Sequence, residues 1–190
     1  MSNFVKNPTK VVTGPNTVMS YANLNYPKAP VNGGKEKYSV SLVISKDDTD
    51  TINKINAAIK AAYNDGQKVL QDKSGNVPSF DMIKNPLRDG DKERPHDKVY
   101  KNSYFINANS VKKPGVVDAN LNPILSTAEI YSGIIGRASI NFYAYNVNGN
   151  RGIACGLNNV MKLRDGAHLG GQTSAEDDFA DFSDGDSFLD

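Results

Sequence analysis

Residues 136–163 run GRASINFYAYNVNGNRGIACGLNNVMKL. Ala138, Ile140, Phe142 and Ala144 alternate with Ser139, Asn141, Tyr143 and Tyr145, so 136–147 is predicted as a strand with one apolar face and one polar, aromatic face. Asn148-Gly149-Asn150 is a hairpin signal, and 152–163 is predicted to return as the partner strand.

Outward from this hairpin the same alternation recurs. In 100–109, Tyr104, Ile106 and Ala108 oppose Phe105, Asn107 and Asn109, and a short Val116-Val117 piece follows a Pro114-Gly115 turn. In 37–45, Tyr38, Val40, Leu42 and Ile44 oppose Ser39, Ser41, Val43 and Ser45. Residues 9–24 are predicted as two strand pieces around Gly14-Pro15-Asn16, and 25–37 as a loop rich in Pro, Gly and Lys.

One segment has helical spacing. Asp47, Asp48 and Asp50 supply a cap and an acidic first turn, and Ile52, Ile55, Ile59, Ala62 and Tyr63 follow up to Gly66. Residues 71–99 carry Gly75, Pro78, Pro86, Gly90 and Pro95 and are expected as a long excursion, functional or mobile. About five strands and one main helix predict a mainly β fold, a partly open five-stranded barrel with long loop insertions and no internal repeat. The expected division is a domain over 1–165 and a flexible tail over 166–190, Gly-rich and then acidic and aromatic.

The 190 residues are 38% apolar and 23% charged, the composition of a polar-leaning globular protein. No stretch approaches the roughly 18 apolar residues that a helical membrane span needs, and the N-terminus carries no secretion pattern, so neither a membrane protein nor a secreted one is expected. The lone Cys155 forms no intrachain disulfide, and with only His96 and His168 beside it cannot build a four-ligand Cys/His zinc site. No phosphate-cradling loop and no nucleophile elbow occur, and no cofactor is expected.

Charge is divided unevenly. Seven of the 21 acidic residues, Glu176, Asp177, Asp178, Asp181, Asp184, Asp186 and Asp190, follow Ser174, where no basic residue stands. All 22 Lys and Arg fall within 1–173 against 14 acidic residues, so the body carries +8 and the tail −7. A basic body with an acidic terminal segment is the asymmetry of nucleic-acid binding. Phe179, Phe182, Phe188 and Leu189 interrupt the acidic run, which suggests a tail that docks on a partner. The expected partner-binding residues are Asp177, Asp178, Phe179, Phe182, Asp184, Asp186, Phe188 and Leu189.

Rings, amides and cations on strand faces suit single strands, because unpaired bases stack on aromatic side chains for about 1–3 kcal/mol each without regard to sequence. The expected stacking residues are Tyr143, Tyr145, Phe105, Tyr21 and Tyr26, with Asn107 and Asn141 as amide contacts. Backbone phosphates would meet Lys28, Lys35, Lys37, Lys101, Lys112, Lys113, Arg137 and Arg151. Asp89, Asp91, Glu93, His96 and Asp97 form the one dense carboxylate cluster of the body. It would suit a metal-dependent nuclease, but Arg88, Lys92, Arg94 and Lys98 are interleaved with it, as in a solvated charged loop.

Tyr131-Ser-Gly-Ile-Ile-Gly-Arg137, Ser139-Ile-Asn-Phe-Tyr-Ala-Tyr-Asn146, Gly149-Asn-Arg-Gly-Ile-Ala-Cys-Gly-Leu-Asn-Asn-Val160, Pro86-Leu-Arg-Asp-Gly-Asp-Lys-Glu-Arg-Pro95 and Tyr104-Phe-Ile-Asn-Ala-Asn109 carry a resemblance. From Lys10 to the tail the chain resembles a family of bacteriophage single-stranded-DNA-binding proteins, once catalogued as a domain of unknown function, with an enterococcal phage protein as its known example. The resemblance implies an OB-fold, binding of single-stranded DNA with little sequence preference in phage replication or recombination, and a place in the host cytoplasm. The acidic tail likewise resembles those of bacterial and T7-type single-stranded-DNA-binding proteins, which implies that it recruits phage or host replication proteins and competes with DNA for the groove. The chain departs from bacterial tails in ending Ser187-Phe-Leu-Asp190 rather than in Phe itself.

The sequence therefore points to a non-enzymatic single-stranded-DNA-binding protein, able to pair between subunits on DNA through edge strands. The competing readings are a metal-dependent DNA-processing enzyme built on 89–97, and a protein-binding adaptor acting through its tail.

Overall fold

The computed structural model describes residues 7–170. The strands are β1 (Lys10–Val12), β2 (Thr17–Lys28), β3 (Lys37–Ser45), β4 (Arg88–Asp89), β5 (Ser103–Ser110), β6 (Gly115–Val117), β7 (Ile135–Val147) and β8 (Asn150–Arg164). The α-helices are α1 (Thr49–Asp65), α2 (Gln67–Leu70) and α3 (Gly90–Glu93).

Five strands close into a ring. β2 pairs with β3 and β3 with β5, both antiparallel; β5 pairs with β8 in parallel; β8 pairs with β7, and β7 returns to β2. This is the five-stranded barrel of the OB-fold, in which β2, β3, β5, β7 and β8 take positions one to five. The ring is only partly closed. β5 and β8 meet at a single register pair, Asn109 opposite Gly156, while β4 and the Lys84–Gly152 bridge fill one side of that junction and β6 the other.

The alternation predicted for each strand decides what lies inside. Met19, Leu24, Val40, Leu42, Ile44, Ile106, Ala108, Ile140, Phe142, Cys155 and Leu157 are buried together. The Cys155 thiol is pushed well above its ordinary pKa by that burial, as suits a packing side chain rather than a nucleophile. Helix α1 starts where Asp48 accepts the Thr51 amide at 3.2 Å, and it buries Ile55, Ile59 and Ala62. The hairpin turn places Asn148 at φ 51° and Gly149 at φ 83°, the left-handed pair that a two-residue turn between twisted strands requires.

Three sequence expectations change. β2 runs on through Tyr26-Pro27-Lys28, so the loop after it shortens to 29–36. β5 starts at Ser103, because Lys98–Tyr100 is a 3₁₀ turn whose first amides Asp97 caps. The 71–99 excursion is not a loose loop: it contains β4, α3 and two 3₁₀ turns, and Lys46 grips it through Asp89 at 2.9 Å and Asp91 at 2.7 Å.

Candidate nucleic-acid interface

Because directly paired residues share a face, the register places one row of outward side chains across the barrel. Asn23 opposes Ser39, Ser39 opposes Asn109, Asn109 opposes Gly156, Gly156 opposes Asn141, and Asn141 opposes Lys10. Their chain neighbours Leu24, Val40, Ala108, Cys155, Ile140 and Val11 point into the core. Asn23 Nδ2 donates to Ser39 Oγ at 3.1 Å. At the centre, a Cβ on Gly156 would sit 2.8 Å from Asn141 Oδ1, so the carboxamide lies flat across the glycine. The row combines donors and acceptors with low relief, so a strand crossing it can be hydrogen-bonded at several points without being read base by base.

One end of the row is cationic. Lys28 stands directly opposite Lys37 across β2 and β3, and Lys35 lies in the exposed loop between them. Like charges facing each other on neighbouring strands are destabilising. Among the described residues none of these three lysines makes an ion pair, so the repulsion is left for an outside anion to relieve. Lys112 and Lys113 are exposed just beyond the end of β5.

Of the other expected cations, Arg137 shares the outward face of β7 with Asn141, while Lys101 and Arg151 lie elsewhere. Lys101 is at the opposite end of β5, beside Asp91, whose carboxyl it helps hold below the usual range. Arg137 donates to the Thr13 carbonyl at 3.1 Å. Arg151 opposes Asn146 while Tyr145 opposes Gly152, so Arg151 occupies the face away from the rings, with its Nε buried and lacking a hydrogen-bond partner among the described residues.

Four of the five expected rings are accessible. Tyr26 is 73% exposed, Tyr21 58% and Tyr143 44%. Tyr145 is half-buried. Tyr143 and Tyr145 oppose Ala154 and Gly152, and the Tyr145 hydroxyl lies over Gly152, where a Cβ would sit 2.9 Å from it. Asn107 is exposed opposite Ser41, and Asn141 is half-buried within the row.

Phe105 is a correction: it is fully buried and cannot stack on a base. Alternation places it on the outer face of β5, but residues 86–101 fold back over that face. Tyr100 meets Phe105 edge-on at 5.1 Å and 86°, its hydroxyl lies 3.0 Å from Ser41 Oγ, and Val43 packs beside them. Residues 86–101 thus form a flap over half of the outer β3–β5 face and leave Ser39, Asn107 and Asn109 uncovered. Asn23, Ser39, Asn109 and Gly156 were not singled out by sequence reasoning, because only the register unites them.

The flap also accounts for the carboxylate cluster. Asp89 and Asp91 hold Lys46, Glu93 pairs with Arg88 at 2.6 Å, and Asp97 accepts the Val99 amide at 3.1 Å. No group of three metal-ligating side chains forms among the described residues. The hydrogen bond from Lys46 holds both the Asp89 and the Asp91 carboxyls below the usual carboxylate range. Depressed carboxyl pKa values stabilise the fold fully above the unfolded value of about 3.9, and the contribution is lost as pH falls through the lower folded values. The flap should therefore stay closed from neutral pH down to about pH 4 and loosen below it. Hydrogen exchange of the Asn102 amide, which donates to Asp91 at 2.9 Å, reports the change; an amide equally protected far below that pH would contradict it.

Beside the flap lies a hollow of about 320 Å³, lined by Tyr21, Asn23, Lys28, Asp97, Val99 and Leu169. Leu169 reaches it because residues 165–170 dock back on the barrel. The Leu169 amide donates to Ser132 O at 2.9 Å, and His168 stacks on Tyr131 with centroids 3.9 Å apart and planes 10° apart. Gly133, at φ 118°, lets the Ala167 carbonyl approach where a Cβ would lie 1.8 Å from it. Residues 166–170, expected as the start of the tail, are thus anchored and lead to the hollow. Asp177, Asp178, Phe179, Phe182, Asp184, Asp186, Phe188 and Leu189 lie outside the described residues.

A family model described as "Enterobacter phage Enc34, ssDNA-binding protein" matches residues 9–189. Its namesake is thus a phage of Enterobacter rather than of an enterococcus. "Putative protein p50" of Acyrthosiphon pisum secondary endosymbiont phage 1 is 31% identical over 178 residues, spanning 88% of this chain and 91% of that protein. Among solved structures, the single-stranded DNA-binding protein from bacteriophage Enc34 in complex with ssDNA superposes with a TM-score of 0.70 at 24% identity, over 89% of this chain and 97% of that one. The single-stranded DNA-binding protein gp2.5 of bacteriophage T7 gives a TM-score of 0.55 at 17% identity, over 95% and 98%.

Proposed function

The chain belongs to the Enterobacter phage Enc34 ssDNA-binding protein family, and from that premise we propose that it binds single-stranded DNA along the outer row of its barrel, without an enzymatic step. The observation that carries the reading is the Asn23–Ser39–Asn109–Gly156–Asn141 row, which starts beside two opposed lysines that make no ion pair among the described residues. OB-folds take oligonucleotides on their second and third strands and in the loops joining the first to the second and the fourth to the fifth. Here those are β3, β5, loop 29–36 and the turn at 148–149. Phosphates are met by Lys28, Lys35, Lys37, Lys112 and Lys113, and bases by Tyr21, Tyr26, Tyr143 and Tyr145.

The role is to coat exposed strands in phage replication and recombination in the host cytoplasm, with edge strands available for pairing between copies on DNA. The acidic tail, beginning after the anchored segment 165–170, recruits replication partners and competes with DNA. Its root supports the competition, since Leu169 and Gly170 line the same hollow as Tyr21 and Lys28.

Fluorescence anisotropy of labelled oligo-dT and of a duplex, with the full chain and with a version ending at Thr173, tests groove and tail together. Preference for the single strand, with tighter binding after truncation, is the expected result. Failure of both versions to bind oligo-dT at low salt would sink the reading, and equal affinity of the two versions would remove the tail's competing role.

A further inference from the structure

Tyr21 is held in an unusual way. Its φ is +46°, a left-handed conformation that costs a non-glycine residue free energy and persists only where the surroundings impose it. Between the Ser20–Ser41 and Asn23–Ser39 pairs, β2 spans one residue more than β3, so Tyr21 lies at a bulge that re-aims its side chain. The ring lines the hollow beside Asn23 and Lys28 and remains largely exposed.

Arg94, a side chain of the flap, lies against this ring. The Arg94 guanidinium carbon lies 5.2 Å from the centroid of Tyr21, 4.8 Å from that of Tyr100 and 5.3 Å from that of Phe105. One guanidinium nitrogen stands 3.5 Å from the Tyr21 hydroxyl. Among the described residues Arg94 has no carboxylate partner, because its neighbour Glu93 is taken by Arg88. Arg94 therefore sits among three rings rather than in an ion pair, an arrangement suited to a planar, weakly hydrated cation.

We propose that Arg94 is a positioning residue that fixes Tyr21 as a base-stacking wall of the groove, an inference that rests on the single-strand reading above. The flap thus shapes the site: Lys46 closes it, Tyr100 and Phe105 seat Arg94, and Arg94 sets the ring at a backbone position already turned outward. Held in this way, Tyr21 loses little freedom when a base stacks on it.

The test is a double-mutant cycle on the full chain, read by oligo-dT anisotropy across a salt series. Tyr21→Ala should weaken binding by about tenfold. Arg94→Met should weaken it by a similar factor with the salt slope unchanged, and should add nothing in the Tyr21→Ala background. Arg94→Lys, which keeps the charge without the planar head, should restore binding only in part. The chain has no tryptophan, so Tyr21→Trp supplies a single reporter whose emission anisotropy in the free protein should fall when Arg94→Met is added. Thermal melts accompany each variant, and Arg94→Gln replaces Arg94→Met if the latter does not fold.

The proposal is overturned if Arg94→Met lowers the salt slope by about 0.7 and Arg94→Lys restores binding fully, the signature of a phosphate contact. It is also overturned if the two losses multiply, or if Tyr21→Ala binds like the unaltered chain while Lys37→Glu binds weakly; in that case the DNA reading stands. Absence of binding by the unaltered chain would instead remove the DNA reading, and the stacking role with it.

Discussion

Binding to oligo-dT should weaken about fifty-fold as salt is raised from about 50 to 200 mM, the consequence of a log–log slope near −3 if about four phosphates are neutralised on a single strand. The lysines around loop 29–36 are the expected source, and Lys28 and Lys37 allow a sharper form of the test. Their direct opposition across β2 and β3 disfavours the free fold and favours the DNA complex. Lys37→Glu should therefore act with opposite signs. An attractive cross-strand pair replaces a repulsive one, which should raise unfolding stability by roughly 0.2–1 kcal/mol. Binding should fall well beyond tenfold and the salt slope should flatten by about 0.7 or more, because one phosphate contact is lost and a repulsive charge is introduced. Urea denaturation and the anisotropy series measure the two halves. A variant both less stable and unchanged in binding would show that the lysine pair belongs to the fold rather than to a DNA site.

What the sequence made legible follows from the range over which each signal acts. Alternation is local, so Val40, Leu42, Ile44, Ile106, Ala108, Ile140 and Phe142 could be placed inside the barrel from their own neighbours. The cap at Asp48 and the turn at Asn148-Gly149 are likewise local chemistry. Phe105 shows where local chemistry ends. Its face was legible, but its burial depends on Tyr100 and Arg94 folding back over that face, and alternation carries no information about what covers an outer surface. The same holds for β2, where Pro27 and Lys28 resemble a loop although the strand continues to pair with β3. The polar row is the extreme case. Asn23, Ser39, Asn109, Gly156 and Asn141 are ordinary residues in their own strands and become a site only through pairings between distant segments. Arg94, one charge among many in 88–98, gave no sign of the rings it would meet.

Tyr100→Ala should destabilise the protein by about 3–5 kcal/mol, a large part of the 5–15 kcal/mol typical of a domain. Tyr100 is fully buried, packs edge-on against Phe105, lies 4.8 Å from the Arg94 guanidinium and places its hydroxyl against Ser41 Oγ. Removing the ring leaves a cavity beneath the flap and deprives Arg94 of one of its three supports. Tyr100→Phe separates packing from hydrogen bonding: it keeps the ring and leaves the buried Ser41 hydroxyl without that partner, a loss of about 1–3 kcal/mol. The flap's other anchor, Lys46 on Asp89 and Asp91, is more exposed to solvent and cannot replace the lost packing. Limited proteolysis of Tyr100→Ala should therefore cut first within 86–101 while the barrel remains intact, and single-strand binding should weaken as Tyr21 loses its support. If Tyr100→Ala instead costs less than about 1 kcal/mol by urea denaturation and leaves 86–101 resistant to protease, the flap is held by its ion pairs and the outer-face packing around Phe105 is incidental.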